Sequence, residues 1–468
     1  MEEKGFKKLI HTFVGDKAFY KMVLLIAVPI MIQNGITNFV GLLDNIMVGQ
    51  LGTEQMSGVA IVNQLIFVYN LCIFGGLAGA GIFTAQYFGQ GDKEGIQHTF
   101  RYKIWMALIL TVIAITVFLL FGEPLIQMYL NGNNDGGDLQ LALHYGQRYL
   151  WIMLFGLPAF MIVQIYASTL RECGQTLVPM VAGVTAVLIN LIFNYLLIYG
   201  KMGFPELGVE GAAIATVLSR YIEAVIVILW THTHSQKNSY VVGLYRTLKV
   251  PFSLAGKFFL KGIPLLVNET MWAAGMAVLT QCYSVHGLSV VAGLNIANTI
   301  SNVFNVVFIA LGDSIAIVVG QLLGAGKLKE ARDSDNKMIA FSVFCCTMVA
   351  IVLFLISPLF PQIYNTTVQA KELATRFIMV QAIFMPQAAF IHAAYFTLRS
   401  GGKTLVTFFF DSVFVWCISV PLAFFVSRYT DIHVVWIMVM VQVADWLKCI
   451  IGFILVKKGV WLQNIVNK

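Results

Sequence analysis

The sequence predicts an all-α membrane protein with twelve transmembrane helices, arranged as two pseudo-symmetric six-helix bundles. The 468-residue chain is 58% hydrophobic and only 11% charged, whereas an ordinary soluble domain is about 25% charged. Apolar runs of about 20 residues, the length a helix needs to cross a bilayer, occur twelve times. In addition, the second half of the chain repeats motifs of the first.

The apolar runs follow one another along the whole chain, and each predicts one membrane-spanning helix. Short polar or glycine-containing connections separate them. We place the spans at residues 20–43, 55–85, 102–121, 149–170, 177–199, 209–230, 258–282, 289–319, 338–356, 377–398, 405–426 and 433–456.

The positive charges predict the orientation of these spans. Most of the 30 lysines and arginines lie at the two ends of the chain or in connections that follow even-numbered spans. Because cytoplasmic loops carry the excess of such residues, we expect both termini on the cytoplasmic side of the cytoplasmic membrane. The net charge of +7 is explained by this topology, so we expect membrane lipid as a partner and no nucleic acid.

An internal repeat supports the division into two bundles. Pro29 and Pro264 are as far apart in the chain as Gln86 and Gln321. Each repeat contains six spans, and an even number of spans returns the chain to its starting side. The halves are therefore parallel and related by an axis along the membrane normal.

The repeat also sets the predicted domain boundaries. We expect an N-terminal bundle at residues 1–235, a basic cytoplasmic linker at 236–257 and a C-terminal bundle at 258–468.

Asp44 is the first candidate functional residue, because a carboxylate inside a span is costly in lipid and usually has a task. Asn190 and Asn194, four residues apart in the fifth span, share one helical face. A carboxylate with side-chain amides suits either a hard cation such as Na⁺ or a proton held on a buried aspartate. We therefore predict that H⁺ or Na⁺ binds at Asp44, Asn190 and Asn194.

The second half contains three further acidic candidates within spans, Glu269, Asp313 and Asp411. Trp272 lies one turn after Glu269 on the same helical face. Its ring can hold a flat cationic substrate by cation–π contact. Position 279, equivalent to Asp44 in the repeat, is Leu279, so the scaffold repeats while the carboxylates do not.

Two charged pairs have a purely structural interpretation. Arg220 and Glu223 in the sixth span, and Asp445 and Lys448 in the twelfth, each have the i,i+3 spacing of a helical ion pair. We predict both pairs.

The sequence contains no pattern typical of an enzyme. It has neither a P-loop nor an H-E-x-x-H motif, and the two histidines just before the linker, His232 and His234, have no metal-ligand spacing. We expect no catalytic activity and no cofactor apart from the coupling ion.

Several motifs together resemble the multidrug and toxic compound extrusion family, the MATE transporters. They are Pro29 with D-x-x-M-V-G-x-L-G from Asp44, Q-x-x-G-x-G at 86–91 and again at 321–326, N-x-x-x-N at 190–194, G-A-A-I-A-T at 211–216, and Leu398-Arg399. The resemblance covers essentially the whole chain.

The resemblance implies a V-shaped pair of six-helix bundles that exports organic cations by antiport against Na⁺ or H⁺. Asp44 corresponds to the family's first-helix carboxylate and Asn190 to the asparagine beside it, and we include Thr216 of the sixth-span motif among the binding residues. Asn194 stands where the DinF-like branch has an aspartate. Glu269 matches the seventh-helix glutamate of the NorM-like branch.

One departure concerns the tenth span, which has no acidic counterpart of the NorM-like aspartate. We infer that Asp411 replaces it. The branch of the family stays open, as does the coupling ion. We expect a monomer that exports a cationic, amphipathic small molecule.

Three alternatives to efflux have sequence requirements of their own. A flippase for lipids or lipid-linked sugars would need extra spans or a strongly cationic cleft for a pyrophosphate group. A major facilitator protein would have a G-x-x-x-D-R-x-G-R signature after its second span, where this chain has YFGQGDKEG. A membrane-embedded enzyme would need a catalytic cluster. The flippase is the alternative we retain.

Overall fold

The computed structural model describes residues 12–130, 138–364 and 366–467, and within these ranges the chain is helical without a β-strand. The long helices are α1 (Lys17–Gly49), α2 (Thr53–Gln90), α3 (Lys93–Leu130), α4 (Leu139–Leu154), α5 (Gly156–Glu172), α6 (Leu177–Tyr199), α7 (Val209–Thr233), α8 (Phe252–Ser284), α9 (Leu288–Gly324), α10 (Leu328–Ile356), α11 (Val368–Ser400), α12 (Thr404–Tyr429) and α13 (Val434–Lys458).

The predicted number of spans agrees with these helices. In the described ranges, eleven are each long and apolar enough to cross a membrane, and the bent pair α4 and α5 brings the number to as many as twelve. This confirms the fold class. The bounds differ most for α3, which extends well beyond the predicted 102–121 at both ends, because a helix continues through polar residues that hydropathy leaves out.

The fourth span is broken, which corrects the prediction of one helix at 149–170. Its two helices, α4 and α5, are bent by 47° at Phe155. Pro158 lacks an N–H, so the carbonyl of Leu154 has no helical donor, and the bend occurs there. The span also begins earlier than predicted, because Asp138 caps α4 by accepting from two backbone N–H groups at 3.0 and 3.1 Å.

The chain forms two compact units. Unit 1 comprises Met1–Met31, Ala85–Asp92 and Leu260–Lys468, and unit 2 comprises Ile32–Thr84 and Lys93–Phe259. In unit 1, apolar side chains of α9, α11 and α13 fill the interior, with Phe377 and Ile437 fully buried. These units are defined by contacts within the structure. The predicted domain boundaries at 235 and 258 follow the sequence repeat instead, and they stay a prediction.

The segment predicted as a linker is fastened to α3 within unit 2. Gln97 Nε2 donates to the carbonyl of Tyr240 at 2.9 Å, and Arg101 Nε donates to the carbonyl of Leu244 at 3.0 Å. One turn further along α3, Trp105 Nε1 donates to the carbonyl of Leu248 at 3.0 Å. Side chains four residues apart on one helical face therefore hold the segment in place.

Unit 2 also contains a buried lysine that the sequence analysis did not single out. Lys103 of α3 is fully buried, and its ammonium contacts three groups of α5. They are Ser168 Oγ at 3.0 Å, Thr169 Oγ1 at 3.1 Å and Glu172 Oε2 at 2.5 Å. All three ammonium protons have acceptors, so the buried charge is fully compensated.

The repeated Q-x-x-G-x-G motif has a packing role within unit 1. A Cβ added at Gly89 would fall on the carbonyl oxygen of Gln321, and one added at Gly324 would fall on the carbonyl oxygen of Gln86. The contact is reciprocal, so each glycine lets the backbone of the other repeat approach. Gln86 is fully buried and binds the end of the chain, because its Oε1 accepts from the backbone N–H of Ile465 at 2.8 Å.

Replacing Gly89 with alanine is expected to destabilise the protein by about 1–3 kcal/mol, the usual cost of overfilling a packed contact. The measurement is the apparent melting temperature of the full-length protein in detergent. Gly35→Ala in α1 is the matched control, because a Cβ there meets no atom within 4 Å, and it should leave the melting temperature unchanged or raise it. Equal melting temperatures for Gly89→Ala and the parent would contradict the close approach.

Candidate ion and substrate site

Asp44, in the second half of α1, is bound directly by α6. Asn194 Nδ2 donates to Asp44 Oδ1 at 2.6 Å, and Asn194 is only 1% exposed. The Oδ1 of Asn194 is buried without a hydrogen-bond partner in the described part of the chain. A buried amide oxygen therefore lies near the carboxylate and is available to a further donor or a cation.

Asn190, one turn before Asn194, faces the same carboxylate. With its amide nitrogen toward Asp44, it donates to the two carboxylate oxygens at 3.1 and 3.0 Å, while its oxygen accepts from Thr216 Oγ1 of α7 at 3.2 Å. This orientation satisfies both ends of the amide, which is how such orientations are assigned. The four residues predicted in the first half, Asp44, Asn190, Asn194 and Thr216, thus meet in unit 2.

Asp44, Asn194 and Thr216 line a cavity of ≈ 300 Å³ inside unit 2. That volume is at the lower end of the range for small-molecule sites. Phe67 and Phe160 contribute aromatic faces to the wall. The polar lining consists of Asp44, Asn63, Asn70, Tyr149, Asn194, Thr216 and Arg220.

Three of the polar lining residues were missed by the sequence analysis. Asn63 and Asn70 of α2 are seven residues apart, so they lie on one helical face, and this polar stripe in an apolar helix is a signal that could have identified them. Tyr149 carried no such signal. Its hydroxyl donates to Asn63 Oδ1 at 3.2 Å, and this contact depends on how α4 packs against α2.

Arg220 forms the ion pair that was predicted for it. Its Nη1 lies 2.9 Å from Glu223 Oε2, and its guanidinium lies 5.7 Å from the ring centre of Phe160. Arg220 also lines the cavity. Because Glu223 neutralises Arg220, the pair adds no net charge to the cavity.

In unit 1, Asp411 is bound by side chains of two other helices, α8 and α13. It lies in a π-helical turn, Phe409–Val413, a distortion that is frequent at functional positions. Asn268 Nδ2 donates to Asp411 Oδ2 at 3.2 Å, and Lys448 Nζ donates to Oδ1 at 2.9 Å.

The contact of Lys448 with Asp411 corrects the predicted ion pair between Asp445 and Lys448. The i,i+3 spacing allows that pair, but the lysine side chain reaches α12 instead. The Oδ1 of Asp445 is buried without a hydrogen-bond partner among the described residues. The i,i+3 spacing within α13 did not predict that Lys448 pairs with Asp411, because Asp411 lies on another helix, α12.

The other predicted residues of the second half lie around Glu269. This carboxylate is close enough to Arg399, Asp411 and Asp313 to interact with them electrostatically. Trp272, one turn further along α8, is 40% exposed. The eight predicted residues therefore form two groups, four residues around Asp44 in unit 2 and four around Glu269 in unit 1.

The donor set around Asp44 indicates what it can hold. In the described ranges, no three His, Cys, Asp or Glu residues converge in the manner of a metal site. Asp44 offers one carboxylate whose oxygens face amide N–H groups. Such a carboxylate can take up a proton or attract a monovalent or organic cation.

Fold and site together define a multi-pass helical membrane protein with a repeated scaffold and carboxylates inside each of its two units. The MatE family model matches residues 29–196 and 264–425, more than half of the chain. The chain belongs to this family, as its motifs predicted.

Known relatives and a solved structure agree with this assignment. The chain is 24% identical to a probable multidrug resistance protein NorM of Thermotoga maritima, over 87% of this chain and 86% of the relative. It is 27% identical to the multidrug resistance protein MdtK of Pectobacterium atrosepticum, over 87% and 88%. A mutant of the Vibrio cholerae MATE transporter VcmN has the same fold, with a TM-score of 0.83 at 16% identity over 95% of this chain and 98% of that one.

Replacing Asn194 with leucine is expected to lower the stability by about 1–3 kcal/mol, because the carboxylate of Asp44 loses a buried donor. The apparent melting temperature in detergent is the readout. Asn38→Leu is the control, since Asn38 lies on the same helix as Asp44 and is exposed, and it should not lower the melting temperature. Equal effects of the two substitutions would argue against the contact between Asn194 and Asp44.

Proposed function

We propose that this protein exports amphipathic organic cations by secondary antiport against H⁺, with Asp44 as the coupling carboxylate. The observation that carries the proposal is the position of Asp44 on the wall of a cavity with two aromatic faces. The similarity to relatives named multidrug resistance proteins supports export of drug-like molecules.

The lining of the cavity favours a cationic, aromatic substrate. Asp44 supplies a negative charge, and Phe67 and Phe160 supply ring faces that attract cations and flat apolar groups. The Arg220 and Glu223 pair is electrically neutral. A pyrophosphate group of a lipid-linked sugar would need unpaired cations, so the cavity favours efflux over the flippase alternative.

The donors around Asp44 favour H⁺ over Na⁺ as the coupling ion. Hard cations prefer a shell of about six oxygen ligands. Asn190 and Asn194 direct amide nitrogens at the carboxylate, and of their two oxygens only Asn194 Oδ1 is left without a hydrogen-bond partner in the described part of the chain. A proton needs one carboxylate oxygen, so Asp44 alone is sufficient for it.

Antiport follows because the proton and the organic cation compete for the same negative charge, that of Asp44. Ionised Asp44 attracts the organic cation, and protonated Asp44 does not, so uptake of a proton promotes release of the substrate. The free energy that protonation contributes is the difference in substrate affinity between the two forms of Asp44. No nucleotide or further cofactor is required for this cycle.

We place the protein in the cytoplasmic membrane with both termini in the cytoplasm, acting as a monomer among lipids. The distribution of lysine and arginine supports this orientation.

Asp44→Asn is expected to abolish gradient-driven transport and leave the protein folded. The amide has the size of the carboxylate and can still hydrogen-bond to Asn190 and Asn194, but it neither binds a proton nor attracts a cation. The measurement is ethidium movement in proteoliposomes, with a pH gradient and a Na⁺ gradient imposed separately. Glu123→Gln is the control, because it removes the same charge from an exposed carboxylate and should transport like the parent.

The two gradients separate the coupling ions. We expect the pH gradient alone to drive transport. Transport driven by the Na⁺ gradient alone would mean that Na⁺, and not H⁺, is the coupling ion at Asp44. Gradient-driven transport by Asp44→Asn at the parent rate would overturn the role of Asp44. If neither gradient drives the parent protein, the antiporter proposal itself fails.

A further inference from the structure

Lys448 is a membrane-embedded lysine that the proposed cycle does not use. It lies in the apolar helix α13, and it is only 5% exposed. Its ammonium is 2.9 Å from Asp411 Oδ1 and lies 5.4 and 5.9 Å from the ring centres of Phe414 and Phe410. A carboxylate with two aromatic rings around a cation is the arrangement in which proteins bind ammonium groups.

The carboxylate of this arrangement is held in place independently of the lysine. Asn268, 1% exposed, donates to Asp411 Oδ2 at 3.2 Å. Asn268 is itself fixed, because Ser412 Oγ donates to its Oδ1 at 2.7 Å. Asp411 is therefore oriented before any cation approaches it.

Asp411 is the less buried partner of the pair. The side chain of Asp411 is 19% exposed. Glu269 adds a second carboxylate close enough to interact with Asp411, and the exposed ring of Trp272 lies one turn further along the same helix. An organic cation that reaches this group finds two carboxylates and an aromatic ring, with Lys448 on Asp411 and Arg399 near Glu269.

Stability alone does not explain the pair. Replacing a buried ion pair with apolar groups is often neutral or stabilising, since removing two charges from water costs more than their attraction returns. In unit 2, the hydrogen-bond partners of Asp44 are neutral amides, so a comparable carboxylate is held in this chain without a lysine. The lysine therefore changes the electrostatics of the unit 1 group in a way that packing does not require.

We propose that Lys448 is an internal competitor for cations at Asp411. Its ammonium occupies the position that the charged group of an organic cation would take, and such a cation binds in unit 1 by displacing it. Lys448 thereby sets the cation affinity of unit 1 and makes this unit the weaker of the two binding groups. The inference rests on the proposed function only in the class of ligand, an amphipathic organic cation.

The test is equilibrium binding of tetraphenylphosphonium to the purified full-length protein in detergent, measured by isothermal titration calorimetry. All variants carry Asp44→Asn, so that binding in unit 2 does not mask unit 1. Lys448→Met is expected to bind the probe about tenfold more tightly than its parent, a change of about 1.4 kcal/mol. Lys448→Gln, which keeps a donor for Asp411 and protects the fold, is expected to gain affinity in the same direction. Lys448→Arg keeps the competing charge and should bind like the parent.

Two controls separate competition from a general change of charge. Lys457→Met removes an exposed lysine from the same helix and should not alter the affinity. Asp411→Asn combined with Lys448→Met removes both charges and should cancel the gain.

An unchanged affinity in both folded Lys448 variants would overturn the inference. So would an equal gain in Lys457→Met, or a gain that survives Asp411→Asn. If Lys448→Met does not fold, Lys448→Gln decides by the same criteria. These outcomes do not depend on transport, so the inference can fail while gradient-driven efflux through Asp44 persists, and the reverse also holds.

Discussion

Hydrocarbon offers no hydrogen-bond partner, and this constraint determines most of what is observed. Backbone groups are satisfied within helices, and each charged side chain inside a unit must find its partner in the chain itself. Lys103 meets three acceptors on α5, and Lys448 meets Asp411 on α12. The partners of Asp44 are the neutral amides of Asn190 and Asn194, so hydrogen bonds rather than an ion pair hold its carboxylate.

The repeat provides the scaffold, and the two halves then use it differently. The prolines and the Q-x-x-G-x-G motifs recur because they serve backbone geometry, as the reciprocal packing of Gly89 and Gly324 illustrates. The carboxylate of Asp44 does not recur, since Leu279 stands where the repeat would place a second one. In the proposed function, this difference in charge lets one unit couple an ion while the other tunes cation binding.

Predictions from the sequence succeeded where the signal is local. Hydrophobic runs predicted the membrane helices, and i,i+3 spacing predicted the Arg220 and Glu223 pair. Spacing of four residues placed Asn190 and Asn194 on one face. The same type of argument was wrong for Lys448, because a partner three residues away on one helix competes with partners on every neighbouring helix. The break at Phe155 was missed although Pro158 is visible in the sequence, because hydropathy averages over a bend.

The sequence by itself determined the class, the family and the identity of the isolated carboxylates, because the cost of polar groups in lipid and the repeat period are properties of the chain alone. Only the tertiary structure decided the partners. It brought Asn190 to Asp44 and Thr216 to Asn190, added Tyr149 and Asn63 to the cavity wall, and gave Asp411 a lysine of its own. Each of these contacts joins different helices, and which faces meet depends on the packing of all the helices in a unit rather than on any one stretch of sequence.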